Sequence, residues 1–246
     1  MDIRIKTLLA IIFLFFPCSA FAETGDRVVL LHGIGRTKIT MFPLGAYLSL
    51  KDYDVINIDY QSREKPIEEL IDDIDKEINL HKTAAEKRIH FVGYSLGGLV
   101  IRAYLHKHRP KNIGRVVLIG VPNNGSEVAD FLKDYDFYKK SFGPAGQQLT
   151  TDQSEIKDLL GKIDYDVGVI AGQMSIDPIS SLFLIPDKDD GKVSVESTRL
   201  DGMKDHIILN TTHTFMVNNP VVMQQVDYFI EHGKFERDAE PVPLPQ

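Results

Sequence analysis

Residues 89–98 read Ile-His-Phe-Val-Gly-Tyr-Ser-Leu-Gly-Gly, an apolar stretch that breaks into Gly-x-Ser-x-Gly around Ser95. A serine set between Gly93 and Gly97 suits a sharp strand-to-helix turn, because a side chain at either glycine would collide with the tight backbone. Such a turn strains the serine and projects its hydroxyl from the end of a sheet. The chemistry on offer is nucleophilic attack, and it requires three further kinds of group. A histidine must take the hydroxyl proton, an acid must orient that imidazole, and backbone N–H groups must meet the developing oxyanion.

The flanking residues agree with the turn. Ile89 to Val92 suit a buried strand, interrupted only by His90. Leu96, Leu99, Val100, Ala103 and Tyr104 recur at helical spacing until Arg109-Pro110 closes the helix. Behind a turn of this kind the expected chain order is serine, acid, histidine, with both partners on loops after later strands. His206 precedes a short strand at 207–209 and so falls at the wrong end of the sheet. His213 follows that strand in Asn210-Thr-Thr-His213 and is the expected general base.

Carboxylates crowd the segment before it: Asp177, Asp187, Asp189, Asp190, Glu196, Asp201 and Asp205. Asp190 opens Asp-Gly-Lys-Val-Ser-Val, where the glycine permits a tight turn and the valines suit an anchoring strand. Asp190 is the expected acid, with Asp189 as the alternative. For the oxyanion, the amide of Leu96 follows the nucleophile by geometry. A second donor is expected from the turn His32-Gly33-Ile34-Gly35, at Ile34. His32 reads as a support for that turn.

The elements that must position these groups alternate between strand and helix, which argues for a mostly parallel sheet flanked by helices. Strands are expected at Arg27–Leu31, Tyr53–Ile58, Arg115–Ile119, Asp166–Ala171 and Ile207–Leu209. Helices are expected at 42–50, from Pro66 through Ile67, Leu70, Ile71, Ile74 and Ile78, and at Val221–Ile230. Residues 126–165 interrupt the alternation, as a lid or binding loop would. Within them Phe131, Tyr135, Tyr138 and Phe142 fall at i, i+4, i+7 and i+11, one face of a helix. That stripe suits either a lid meeting acyl chains or packed core.

Length and composition set the outer limits. A chain of 246 residues with 43% hydrophobic content suits one sizeable domain, expected at 23–235. Residues 1–22 read as a cleaved signal peptide: Arg4 and Lys6, an apolar run from Leu8 to Phe16, and Ala20-Phe-Ala22. Export to the periplasm or beyond is the expectation. Residues 236–246 read as a Pro-rich, disordered tail. The single cysteine, Cys18, falls within the leader, so the mature domain is expected to hold neither disulfide nor thiolate metal site. Loss of Asp2, Arg4 and Lys6 takes the formal charge from −7 to −8, which disfavours nucleic acid as a partner.

Taken together, Leu31-His-Gly-Ile-Gly35, Gly93-Tyr-Ser-Leu-Gly-Gly98, Val121-Pro-Asn-Asn-Gly-Ser126 and Asp190-Gly-Lys-Val through His213 resemble the α/β-hydrolase family, and within it small bacterial secreted lipases and esterases. The resemblance implies an α/β-hydrolase fold and ester hydrolysis through an acyl-enzyme, without cofactor or metal. It carries nucleophile onto Ser95, acid onto Asp190, base onto His213 and oxyanion donors onto Ile34 and Leu96. Tyr94 departs from the pattern, standing where many lipases have histidine. The expected substrate is a small-molecule or lipid ester, with transient contact at a lipid surface. Two other readings share the motifs. One is an acyltransferase or deacylase acting on a lipid-linked or envelope molecule. The other is an inactive α/β-hydrolase domain that only binds.

Overall fold

A computed structural model describes residues 25–81, 87–186 and 188–237. The leader at 1–22 and the tail from 238 onward lie outside those residues. The remaining two tail positions are tied to the domain: Glu236 exchanges hydrogen bonds with the Gln225 side chain, and Arg237 pairs with Asp205 at 2.5 Å.

Six strands form one parallel sheet in the order β2-β1-β3-β4-β5-β6. They are β1 (Arg27–Leu31), β2 (Asp54–Ile58), β3 (Ile89–Tyr94), β4 (Ile113–Ile119), β5 (Val167–Gly172) and β6 (Asp205–Leu209). The inner strands are apolar on both faces because helices cover both. On one face lie α1 (Lys38–Ser49) and α8 (Pro220–His232); on the other, α2 (Ile67–Leu80) and α3 (Leu96–His108). Two core layers result. Ile71, Phe91, Leu99 and Val169 lie in one, while Leu30, Leu44, Val117 and Phe229 lie in the other.

Several boundaries differ from the sequence reading, each for a reason found elsewhere in the chain. Helix α1 starts at Lys38 rather than at residue 42, because Asp59, from the far end of β2, accepts the Lys38 N–H at 3.0 Å and caps it remotely. Strand β6 begins at Asp205 because pairing with Gly168 extends it, so His206 lies within the strand at its starting end. Helix α7 (Pro178–Phe183) was not anticipated, although Asp177-Pro178 is a strong start signal: the Asp177 carboxylate accepts the Ser180 N–H at 3.1 Å.

His90 resolves the polar interruption in β3. It is buried, its Nδ1 accepts the Arg115 N–H at 2.9 Å, and it sits where the β3–β4 register shifts. The ring replaces an acceptor that the ladder loses at the irregularity. Gly114 makes room, since a Cβ there would stand 2.7 Å from the imidazole.

The segment 126–165 holds α4 (Glu127–Leu132), α5 (Asp136–Gln147) and α6 (Lys157–Leu160). Its four aromatics do not share one helix face. The chain turns between Leu132 and Tyr135, and Tyr135 caps the next helix. As a result Phe131 and Tyr135 are about half exposed, with tilted rings whose centroids lie 6.0 Å apart. Tyr138 and Phe142 instead turn inward, with ring centroids 4.8 Å apart. Unbroken helical spacing across Asp134 and Tyr135 was the wrong assumption.

Candidate active site

The turn from β3 into α3 places Ser95 at φ 54°, ψ −125°, one of two described non-glycine residues with positive φ. Its flanking glycines are required by close approach. A Cβ on Gly93 would stand 2.5 Å from Gly98 Cα, and one on Gly97 would stand 2.4 Å from the Leu31 carbonyl oxygen. The Ser95 N–H donates to the Ile119 carbonyl at 2.9 Å, anchoring the turn to the end of β4.

His213 follows β6 and opens a short 3-10 helix at His213–Asn218. Its Nε2 lies 3.1 Å from Ser95 Oγ, and its Nδ1 lies 2.8 Å from Asp190 Oδ2. The Asp190 side chain is wholly buried and fully engaged. Its Oδ1 accepts the N–H groups of Lys192 and Val193 at 3.0 and 2.9 Å, while its backbone carbonyl accepts the His213 N–H at 2.8 Å. One residue thus fixes both the ring and the backbone of His213. Asp189 points elsewhere: its Oδ1 accepts from Ser181 Oγ at 2.7 Å and from the Gly191 N–H at 2.6 Å. His206 is also remote, its Nε2 2.9 Å from Thr198 Oγ1.

Two features beneath this constellation escaped the sequence reading. Gly120 has φ +57°, and a Cβ there would lie 3.2 Å from His213 Nδ1 and 3.3 Å from Asp190 Oδ2. Tyr94 is buried, donates to the His213 carbonyl at 2.8 Å, and lays its ring 5.2 Å from the imidazole. Burial pushes its phenol well above the usual range, so it remains a donor.

The turn after β1 abuts the serine. A Cβ on Gly33 would stand 3.1 Å from Ser95 Cβ. The Gly35 N–H is committed to Ser62 Oγ at 3.0 Å, and the Arg36 N–H to the Gly33 carbonyl at 3.3 Å. The Ile34 N–H makes no hydrogen bond among the described residues, and the Leu96 N–H lies at the start of α3 directly after Ser95. His32 braces this turn. Its Nδ1 donates to the Gly33 carbonyl at 2.8 Å, and its ring stacks on Tyr60 at 4.3 Å. Burial pushes its pKa down despite Asp59 nearby.

A cavity of about 390 Å³ opens onto Ser95 and His213. Its wall is largely apolar, built by Val128, Ala129 and Leu132 from α4, by Tyr138 and Phe142 from α5, and by Leu149. Arg36, Arg63 and Lys192 stand at its mouth. A serine hydrogen-bonded to an oriented imidazole, beside an apolar wall, can attack an acyl carbonyl when backbone N–H groups at the turn accept the charge.

Known proteins agree with this architecture. Residues 26–145 match the family model described as alpha/beta hydrolase fold. A triacylglycerol lipase of Pseudarthrobacter phenanthrenivorans is 32% identical in a 126-residue alignment that covers 46% of this chain and 38% of that protein. The chain therefore spans little more than a third of that relative. A Bacillus licheniformis lipase in its mature form superposes with TM-score 0.66 at 18% identity, over 85% of this chain and 92% of that one. A metagenomic carboxyl esterase superposes with TM-score 0.64 at 15% identity, over 77% of this chain and 64% of that one. The chain has the α/β-hydrolase fold, and it is similar to lipases and esterases.

Proposed function

We propose that the protein is a serine hydrolase of carboxylic esters, acting through Ser95, His213 and Asp190. The observation that carries this reading is the unbroken relay from Ser95 Oγ to His213 Nε2 at 3.1 Å and from His213 Nδ1 to Asp190 at 2.8 Å. Ser95 Oγ attacks the ester carbonyl carbon while His213 Nε2 takes the hydroxyl proton. The amides of Ile34 and Leu96 receive the negative charge that gathers on the carbonyl oxygen. Collapse breaks the carbon–oxygen bond to the alcohol, which leaves with the proton held on His213. A water then attacks the acyl-enzyme with His213 again as base, releasing the acid and restoring Ser95.

The apolar cavity wall favours an acyl chain over a polar acyl group. This matches the lipid-like ester expected from the resemblance. Hydrolysis of p-nitrophenyl esters from acetate to palmitate, by the protein and by Ser95→Ala, tests the reading. Turnover should fall more than about 10⁴-fold in the variant. Equal turnover by both proteins, or none by either, would remove the proposal.

A further inference from the structure

The mouth of the cavity is charged against the sign of the protein. The chain carries a formal charge of −7, yet among the described residues that line the cavity none is Asp or Glu, while three are cations. Two of these are unusual for this molecule. Arg27, Arg88, Arg109, Arg199 and Arg237 each pair with a carboxylate at 2.5–2.9 Å. Arg115 pairs more loosely with Asp166 at 3.6 Å, while Arg36, Arg63 and the buried Arg102, which donates to Asn123 at 3.1 Å, make no ion pair among the described residues. Lys192 is partly neutralised by Asp177 at 2.9 Å, so the cations without an ion-pair partner at the cavity are the two arginines.

Both arginines line the cavity that contains Ser95 and His213. Arg36 lies two residues beyond Ile34, on the turn after β1, and lines the cavity together with Tyr94 and Ser95. Arg63 packs over the same turn, its Cδ 3.6 Å from where a Cβ on Gly35 would stand. The backbone of Arg63 is clasped at the kink of α5, where Gly143 at φ +59° leaves no room for a side chain against the Arg63 carbonyl. Asp59 and Glu64 line the adjoining depression that both arginines share. Of these, Asp59 is already engaged, by the Lys38 N–H at 3.0 Å and by His32 at 3.2 Å.

We propose that the preferred ester bears an anionic group, phosphate or carboxylate, on its alcohol portion, and that Arg36 and Arg63 bind it. The inference rests on the ester-hydrolase reading above. With the acyl chain on the wall of α4 and α5, the alcohol portion faces the solvent-exposed mouth where the guanidiniums stand. Planar guanidinium forks match the oxygens of phosphate and carboxylate, singly or in pairs. Hydrolysis then releases the anionic alcohol to solvent and the acid from the wall.

The test compares 1-hexanoylglycerol 3-phosphate with 1-hexanoylglycerol, which differ in the phosphate alone. At low salt kcat/KM should favour the phosphate by about tenfold, and the preference should collapse in Arg36→Gln/Arg63→Gln and in about 0.5 M NaCl. A ratio that the double variant leaves unchanged overturns the proposal. Calorimetric titration of Ser95→Ala with hexyl phosphate and with hexanol decides the same point without turnover. Tighter binding of hexyl phosphate, lost in the added double variant, supports it, and equal binding overturns it. Inorganic phosphate binding as tightly as hexyl phosphate would also overturn it, by marking a free-anion site. If neither ester is turned over, the hydrolase reading falls and the titration still decides the charge preference.

Discussion

Tyr94 donates its hydroxyl to the backbone carbonyl of His213 at 2.8 Å, so the residue immediately before the serine holds the histidine that contacts it. The phenol therefore links β3 to the loop after β6 across the end of the sheet. Removing the hydroxyl would leave a buried carbonyl without its donor, at a cost of about 1–2 kcal/mol. Tyr94→Phe is expected to lower the urea midpoint by that equivalent and kcat several-fold, with KM little changed. A variant that matches the parent in both midpoint and kcat would show that the contact positions nothing.

Asp190 and Asp189 are adjacent in sequence and opposite in role. Asp190→Asn keeps the shape but cannot fix the imidazole tautomer in the same way, so kcat is expected to fall about 10³–10⁴-fold. Asp189→Asn disturbs hydrogen bonds to Ser181 and the Gly191 amide, and should act on stability rather than on chemistry. Steady-state kinetics on both variants, with their thermal midpoints, separates the roles. Similar losses of kcat in the two would refute the assignment.

The same pair shows what the sequence could convey. The elbow glycines, the strand–helix alternation and the position of His213 after β6 all follow from local pattern and chain order. Which of two neighbouring carboxylates turns inward depends on how the Gly191 turn is seated against Gly172, where a Cβ would stand 2.8 Å from Asp190 Cβ. That contact joins segments far apart in the chain and leaves no local signature. The remote cap of α1 by Asp59 is hidden for the same reason. The aromatic stripe failed differently. Its spacing was helical, but Tyr135 caps a new helix, and periodicity alone does not detect a break that keeps phase. Arg36 and Arg63 carried no motif; only the cavity brings them together.

Stability should fall on mild acidification because two buried histidines, His32 and His90, and the part-buried His206 have their pKa values lowered by burial. Burial lowers the pKa of His32, His90 and His206 below the ordinary value of 6.5. Between the unfolded value and the lower folded one, the unfolded chain binds more protons. Stability is therefore complete above about pH 6.5 and is lost as pH drops toward the folded values. His90 is the most direct probe, since protonation would remove the Nδ1 acceptor of the Arg115 N–H. His90→Gln is expected to be less stable at pH 7 but to show a shallower decline between pH 7 and 5, read from urea midpoints. An unchanged slope would assign the acid sensitivity to other groups.

Ser95 itself stands in a conformation that costs stability. At φ 54°, ψ −125° a Cβ is poorly accommodated, and such residues store about 1–3 kcal/mol. Glycine adopts the conformation without that strain but has more chain entropy to lose on folding, which offsets part of the gain. Alanine keeps the Cβ and so keeps the strain. Ser95→Gly is therefore expected to be more stable than Ser95→Ala by about 1 kcal/mol, although neither variant has the nucleophile. Chemical denaturation of both proteins measures the difference directly. If the glycine variant is equal to or weaker than the alanine variant, the turn is not strained, and its geometry is held without a stability cost at the nucleophile.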